Sequence, residues 1–262
     1  MSIPSIPRIK VSGVTSGYGG EPVVRGIDLC VPADAVTTLI GPNGCGKSTL
    51  LKTMCSLLNY SGDIELAGRN VRDYGRRERA RHLTMLSQSP VAPEGLTVRQ
   101  LITRGRHPYQ SWLRQWSEED ERLLLQAVDT TGLTDLIDRP VSDLSGGQRQ
   151  RVWIAMTIAQ DTDTMLLDEP TTYLDLAYSI EVLKLVESLR REQGKTVIMV
   201  LHDLNLAARF SDHLVAMSRG GQIAAVGTPE DVLTEELLAE VFGLDALVVK
   251  DPVTGGPWVV PR

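Results

Sequence analysis

The chain has 262 residues, 42% hydrophobic and 23% charged, and a formal charge of −6. That length exceeds the roughly 100 to 200 residues of an ordinary domain and provides for one core with a sizeable insertion, or two subdomains, while the composition excludes the disordered and fibrous classes. An acidic balance gives no broad basic surface for nucleic-acid phosphates, so no nucleic-acid partner is expected.

Three cysteines, Cys30, Cys45 and Cys55, show neither CxxC spacing nor an even count, which points to free thiols in a reducing compartment. The opening MSIPSIPRIK lacks a basic stretch followed by an apolar one, and no run of about 18 apolar residues occurs. The chain is therefore expected to be neither secreted nor membrane-spanning, and any membrane role comes through a partner.

IKVSGV, near the start, reads as a short flanking strand. VTTLI (Val36 to Ile40) is apolar, β-branched and stops at glycine and proline, as a buried strand does. GPNGCGKST follows and leads into LLKTM, which reads as a helix. Gly41 to Ser48 match G-x-x-x-x-G-K-S/T in full between a strand and a helix, the context that separates a phosphate loop from a chance match. Such a loop lets backbone N–H groups and a helix N-terminus converge on phosphate oxygens, so Gly41, Pro42, Asn43, Gly44, Cys45 and Gly46 are expected to form the cradle. Lys47 is expected to bridge the β and γ phosphates, Ser48 to hold Mg²⁺ and Thr49 to contact the α phosphate. Cys45, close to a helix N-terminus where positive potential favours thiolate, is expected to be reactive.

GDIEL reads as a second flanking strand, and LTMLSQ ends in Gln88, within reach of a metal ion and water. Taken alone, a glutamine after a strand signifies little. From Gly95 to Asp143 the strand signal disappears. There SEEDERLLLQAVDTTG begins with Ser117 as N-cap, carries acids in its first turn and stops at Gly132, which predicts a helical insertion. LSGGQRQR (Leu144 to Arg151) then runs into the apolar VWIAMTIA, with Ser145 as the N-cap of another helix.

MLLD (Met165 to Asp168) and TVIMVL (Thr196 to Leu201) are continuous apolar runs, the pattern of parallel strands covered on both faces. Between them LDLAYSIEVLKLVESLRREQG has helical spacing and stops at Gly194. Strand, helix, strand predicts an α/β layer architecture with right-handed crossovers. Asp168 and Glu169 then stand at the carboxyl end of a buried strand, where open α/β sheets bind ligands; Asp168 is expected to serve Mg²⁺ through water and Glu169 to polarise an attacking water. His202 follows its strand directly and is placed for a γ-phosphate contact, whereas His82, His107 and His213 read as structural or surface residues. QIAAVG reads as a third flanking strand, and the segment after Phe242 carries no signal.

GPNGCGKS, Gln88, LSGGQ, MLLDEP, the loop TYLD (Thr172 to Asp175) and His202, in this order, resemble the nucleotide-binding subunits of ABC transporters, from Tyr18 to about Phe242. The resemblance implies ATP and Mg²⁺ as cofactors and one ABC ATPase domain over 1–262. Within it, 1–88 and 163–242 would form a P-loop core with a mostly parallel sheet and an antiparallel β flank, 95–160 a helical subdomain, and 243–262 a tail. It also implies a head-to-tail pair of identical subunits, in which Ser145, the N–H groups of Gly146 and Gly147, and Gln148 cover the γ-phosphate held by the phosphate loop of the other copy. A helix N-terminus with small residues is a second anion site. Asp175 would cross the dimer interface, Tyr18 would stack on adenine, and Lys47, Gln88, Glu169 and His202 would carry the catalysis. Tyr173 stands where the wider family often has serine.

TTYLDLAYSIEVLKLV, LHDLNLAARFSDHLVAM and GLTVRQLITRGRHPYQSWLRQWSEEDE further resemble the ATPases of ferric-siderophore importers, with haem and vitamin B12 importers as close relatives. This implies an ATP-hydrolysing subunit at the cytoplasmic face of the membrane, partnered by permease subunits and, through them, by a substrate-binding protein. Thr103 to Trp116, with Tyr109, Trp112 and Trp116 close to Arg104, Arg106 and Arg114, has the composition of a protein contact and is expected to dock on the permease. The rival without a permease is a soluble ABC ATPase of iron–sulfur cluster assembly. DNA-repair and translation ABC proteins usually carry two nucleotide halves or a long coiled-coil insert, and this sequence has one phosphate loop.

Overall fold

The apolar runs of the sequence become the centre of one sheet. A computed structural model describes residues 7–111, 115–172 and 174–262. Its strands are β1 (Ile9–Ser16), β2 (Val24–Val31), β3 (Val36–Ile40), β4 (Tyr60–Leu66), β5 (Arg69–Asn70), β6 (Leu83–Leu86), β7 (Thr164–Asp168), β8 (Thr196–Val200), β9 (His213–Met217), β10 (Ile223–Gly227), β11 (Ala246–Lys250) and β12 (Pro257–Pro261). The helices that matter for the site are α1 (Lys47–Met54), α2 (Arg76–His82), α3 (Val98–Thr103), α4 (Glu118–Thr130), α5 (Gly146–Ala159), α6 (Leu176–Gln193) and α7 (Leu204–Phe210).

Every residue of β3, β7 and β8 is buried, which is why these runs do not alternate. They lie in a six-stranded sheet of order β10-β9-β3-β8-β7-β6, parallel except for β10, which pairs antiparallel at the edge. β1, β2, β4 and β5 form a separate antiparallel sheet. IKVSGV and GDIEL are thus flanking strands, but QIAAVG joins the main sheet, because β9 offers it an unpaired edge.

α1 and the antiparallel sheet cover one face of the main sheet, with Val14, Val24, Leu50, Leu51 and Met54 packed against Leu166 and Ile198. α6 and α7 cover the other through Val182, Leu183, Val186 and Ala207. α3, α4 and α5 close around an apolar core of their own, which includes Leu101, Leu124, Val152 and Ala155. Ser117 caps α4 by accepting from Asp120 N at 3.2 Å, and Gly194 ends α6 in the left-handed conformation at φ 61°.

Two segments depart from expectation. The tail is a hairpin, β11 with β12, whose Ala246 and Val259 are buried in the same core as α6 and α7. The Asn205 amide in α7 fastens it, donating to Val259 O at 3.1 Å and accepting from Val259 N at 2.7 Å. Arg106 does not present its charge to a partner. It is 3% exposed, paired with the 1% exposed Asp120 at 2.8 Å and covered by the Tyr109 ring 3.9 Å away, because a buried guanidinium needs both a counter-charge and a flat apolar neighbour. Arg104 and Trp116 remain exposed, while Trp112 and Arg114 lie outside the described residues.

Candidate active site

β3 ends in the middle of the sheet and turns into the phosphate loop. Gly41, at φ 149°, has no room for a side chain: a Cβ would come within 2.5 Å of Met217 O and 2.9 Å of Cys45 Sγ. Gly46, at φ 104°, is the N-cap of α1 and brings no side-chain acceptor, so the first N–H groups of the helix stay free for an anion. Lys47 is buried, and its Nζ donates to Gly41 O at 2.8 Å and Pro42 O at 3.0 Å. Its third contact is the weak acceptor Cys45 Sγ at 3.9 Å, the partner most readily exchanged for a ligand oxygen. Asn43, Gly44, Gly46, Lys47, Ser48 and Thr49 line a cavity of about 580 Å³.

Gln88, Glu169 and His202 line the same cavity, brought from the ends of β6, β7 and β8. Glu169 sits at φ 53°, a left-handed conformation that costs a non-glycine residue about 1 kcal/mol and that clusters at functional sites. Its Oε1 lies 2.6 Å from His202 Nε2, while its Oε2 accepts from Gln88 Nε2 at 2.7 Å and Thr172 Oγ1 at 2.8 Å. Burial pushes this carboxyl up, but the bonds from His202, Thr172 and Gln88 more than offset burial and hold it below the ordinary range. The sequence named Thr172 only as the start of the TYLD loop and gave it no role; the signal for one was a hydroxyl residue three positions after Glu169.

Asp168 is 1% exposed and accepts from Ser48 Oγ at 2.7 Å. Burial, with the charge of Glu169 added, raises its pKa against the hydrogen bond from Ser48. A buried carboxylate beside a hydroxyl, with no ion pair among the described residues, is an oxygen donor set that fits a hard divalent cation.

The remaining expected residues stand elsewhere. Cys45 does not line the cavity: the residue is 1% exposed, its Sγ lies 3.9 Å from Lys47 Nζ, and burial raises its pKa despite Lys47, contrary to the expected reactivity. Tyr18 is 61% exposed, lines a neighbouring cavity with Leu57 and Tyr60, and meets α1 through Lys52 Nζ, 3.5 Å from its hydroxyl. Ser145 is the N-cap of α5 in a reciprocal capping box with Gln148, and Gly146 and Gly147 form its first turn. Ser145 and Gly146 are exposed, and none of Ser145, Gly146, Gly147 and Gln148 lines the phosphate-loop cavity of their own chain. Asp175 caps α6 by accepting from Tyr178 N at 3.0 Å. Tyr173 lies outside the described residues.

A phosphate loop at the switch of a parallel sheet, with a carboxylate pair and a histidine on the neighbouring strand ends, defines a P-loop nucleoside triphosphatase. The family model described as "ABC transporter" matches residues 24–172. The chain belongs to that family and is an ATPase. It is 51% identical to the achromobactin transport ATP-binding protein CbrD of Dickeya dadantii (strain 3937), over 95% of this chain and 92% of that one. It is 48% identical to the "Probable siderophore transport system ATP-binding protein YusV" of Bacillus subtilis (strain 168), over 97% of this chain and 92% of that one. Among solved structures it is similar to the dimeric bacterial ABC transporter cassette MJ0796, with a TM-score of 0.75 at 26% identity, covering 84% of this chain and 98% of that one.

Proposed function

We propose that this chain is the ATP-hydrolysing subunit of a bacterial ABC importer for a ferric siderophore, working as a head-to-tail homodimer beneath permease subunits at the cytoplasmic face of the membrane. The observation that carries the hydrolytic reading is the Glu169 carboxylate, ionised and held by Gln88, Thr172 and His202 on the rim of the phosphate-loop cavity. The cargo reading rests on CbrD and YusV, whose names assign them to achromobactin and siderophore transport. No helix among the described residues is long and apolar enough to cross a membrane. The permease partner is read from the importer relatives, and a binding protein would act through it.

Lys47 and the first turn of α1 hold the phosphate chain by charge and by N–H donors. Mg²⁺, when bound, supplies Lewis-acid stabilisation of phosphate oxygens, and Ser48, Asp168 and Gln88 are the residues that hold it. Glu169 Oε2 already accepts two hydrogen bonds, whereas Oε1 accepts only from His202 among the described residues and keeps a lone pair for the proton of water. His202 gives its Nε2 proton to that oxygen here, and would donate to the terminal phosphate by turning that N–H from Glu169 when nucleotide binds. Tyr18 supplies a face for adenine. The exposed α5 N-terminus of a second copy, Ser145 to Gln148, closes the cavity from outside, with Asp175 beside the joint; the dimeric cassette MJ0796 supports such a pair.

Glu169→Gln tests the reading. ATP binding is expected to persist, hydrolysis to fall roughly 10² to 10⁴-fold, and an ATP-bound dimer to accumulate in gel filtration. A strain lacking the gene is expected to lose uptake of a radioiron-loaded siderophore and to regain it from the wild-type gene but not from the variant. Wild-type turnover in the variant removes Glu169 from its role, and unimpaired iron uptake in the deletion strain removes the cargo.

A further inference from the structure

α5 is capped by Ser145 at one end and by Gln160 at the other, and its two ends meet different surroundings. Ser145 is exposed. Gln160, at the other end, is half-buried and bridges three elements: its Nε2 donates to Ala80 O in α2 at 2.6 Å, and its Oε1 accepts from Thr84 Oγ1 in β6 at 2.8 Å. Arg106 donates from Nη1 to the carbonyls of Ala159 and Gln160 at 3.0 and 3.3 Å, satisfying groups that a helix C-terminus leaves open. Gly105 backs onto the Met156 carbonyl so closely that a Cβ there would overlap it. β6, which holds Thr84, is also the strand that delivers Gln88 to Glu169 at 2.7 Å.

Resting on the ATPase reading above, we propose that Gln160 is a positioning residue for hydrolysis: its amide ties the tilt of α5 to β6, so that the Ser145 end of the helix and Gln88 keep one register. The 14 residues of α5 span about 21 Å at 1.5 Å per residue. A tilt of about 3° at the Gln160 end therefore moves Ser145 by about 1 Å, and a misplacement of that size costs up to roughly a hundredfold in rate. Ala80 O and Thr84 Oγ1 lie on separate elements, so one side chain that satisfies both fixes the helix in two directions. No other side chain of α2 or β6 hydrogen-bonds α5 among the described residues.

Made in the full-length chain, Gln160→Leu removes both bonds of this bridge and Thr84→Val the one to Oε1, each with little change in volume. Both variants are expected to bind MgATP within about twofold of wild type, because the phosphate loop is untouched, while kcat falls roughly ten- to a hundredfold and ATP-driven dimerisation weakens. The double variant is expected to be no slower than the worse single one, since both remove the same bond. Wild-type kcat in folded variants, with only the melting temperature lowered, overturns the proposal and leaves Gln160 a merely structural residue. If Gln160→Leu does not fold, Thr84→Val decides on the same kcat criterion. A wild-type chain that does not hydrolyse ATP overturns the ATPase reading and this one with it.

Discussion

Replacing Arg106 by methionine removes a guanidinium that is 3% exposed and strands Asp120, 1% exposed, without its counter-charge. Breaking one partner of a buried pair typically costs about 3 to 5 kcal/mol. Asp120 keeps two donors from Ser117, Oγ at 2.7 Å and the backbone N at 3.1 Å, and methionine refills part of the volume, so the lower end of that range, about 3 kcal/mol, applies. For a chain of this size each kcal/mol moves Tm by about 2 to 4 °C, which predicts a fall of roughly 6 to 12 °C by scanning calorimetry at neutral pH. The pH dependence gives a second check. Burial pushes the Asp120 carboxyl up, but hydrogen bonds from Ser117 and Arg106, with the Arg106 charge, hold it below the ordinary range. A depressed folded pKa contributes stability present above the unfolded value and lost as pH falls through the folded one. In the variant the bonds from Ser117 remain but the hydrogen bond and charge of Arg106 are lost, so the folded pKa rises and the deficit against wild type is expected to shrink as pH drops below about 4. Arg106→Met/Asp120→Leu is expected to be more stable than the single variant. A wild-type Tm at neutral pH, or a deficit that grows on acidification, refutes the pairing.

Maleimide is expected to label Cys30, which is exposed, and to spare Cys45 and Cys55 in the folded chain, since burial raises the Cys45 thiol and pushes Cys55 up to about 12; a rapid Cys45 adduct in the mass spectrum contradicts this. Asn205→Ala strips the partner from Val259 N–H and O and is expected to cost about 1 to 3 kcal/mol in urea denaturation, whereas an unchanged midpoint means that the amide does not fasten the hairpin.

Local physics made much of the framework legible. β3, β7 and β8 announced themselves because a strand covered on both faces needs apolar residues without alternation, whatever its neighbours are. The phosphate loop was equally plain, since a left-handed backbone next to a carbonyl admits only glycine, and Ser117, Ser145 and Gly194 marked helix ends through bonds to residues a few positions away. QIAAVG was recognised as a strand, but its sheet was decided by which edge stood open. The hairpin after Phe242 stayed silent because its burial depends on α7, far back in the chain. Sequence named the chemical type of Cys45 and Arg106 but not their exposure, and exposure sets whether a thiol ionises or a guanidinium meets a partner. The grip of Gln88, Thr172 and His202 on one carboxylate likewise belongs to the tertiary structure: hydrogen bonds form over about 3 Å, and only the packed sheet brings strand ends 81 residues apart within that reach.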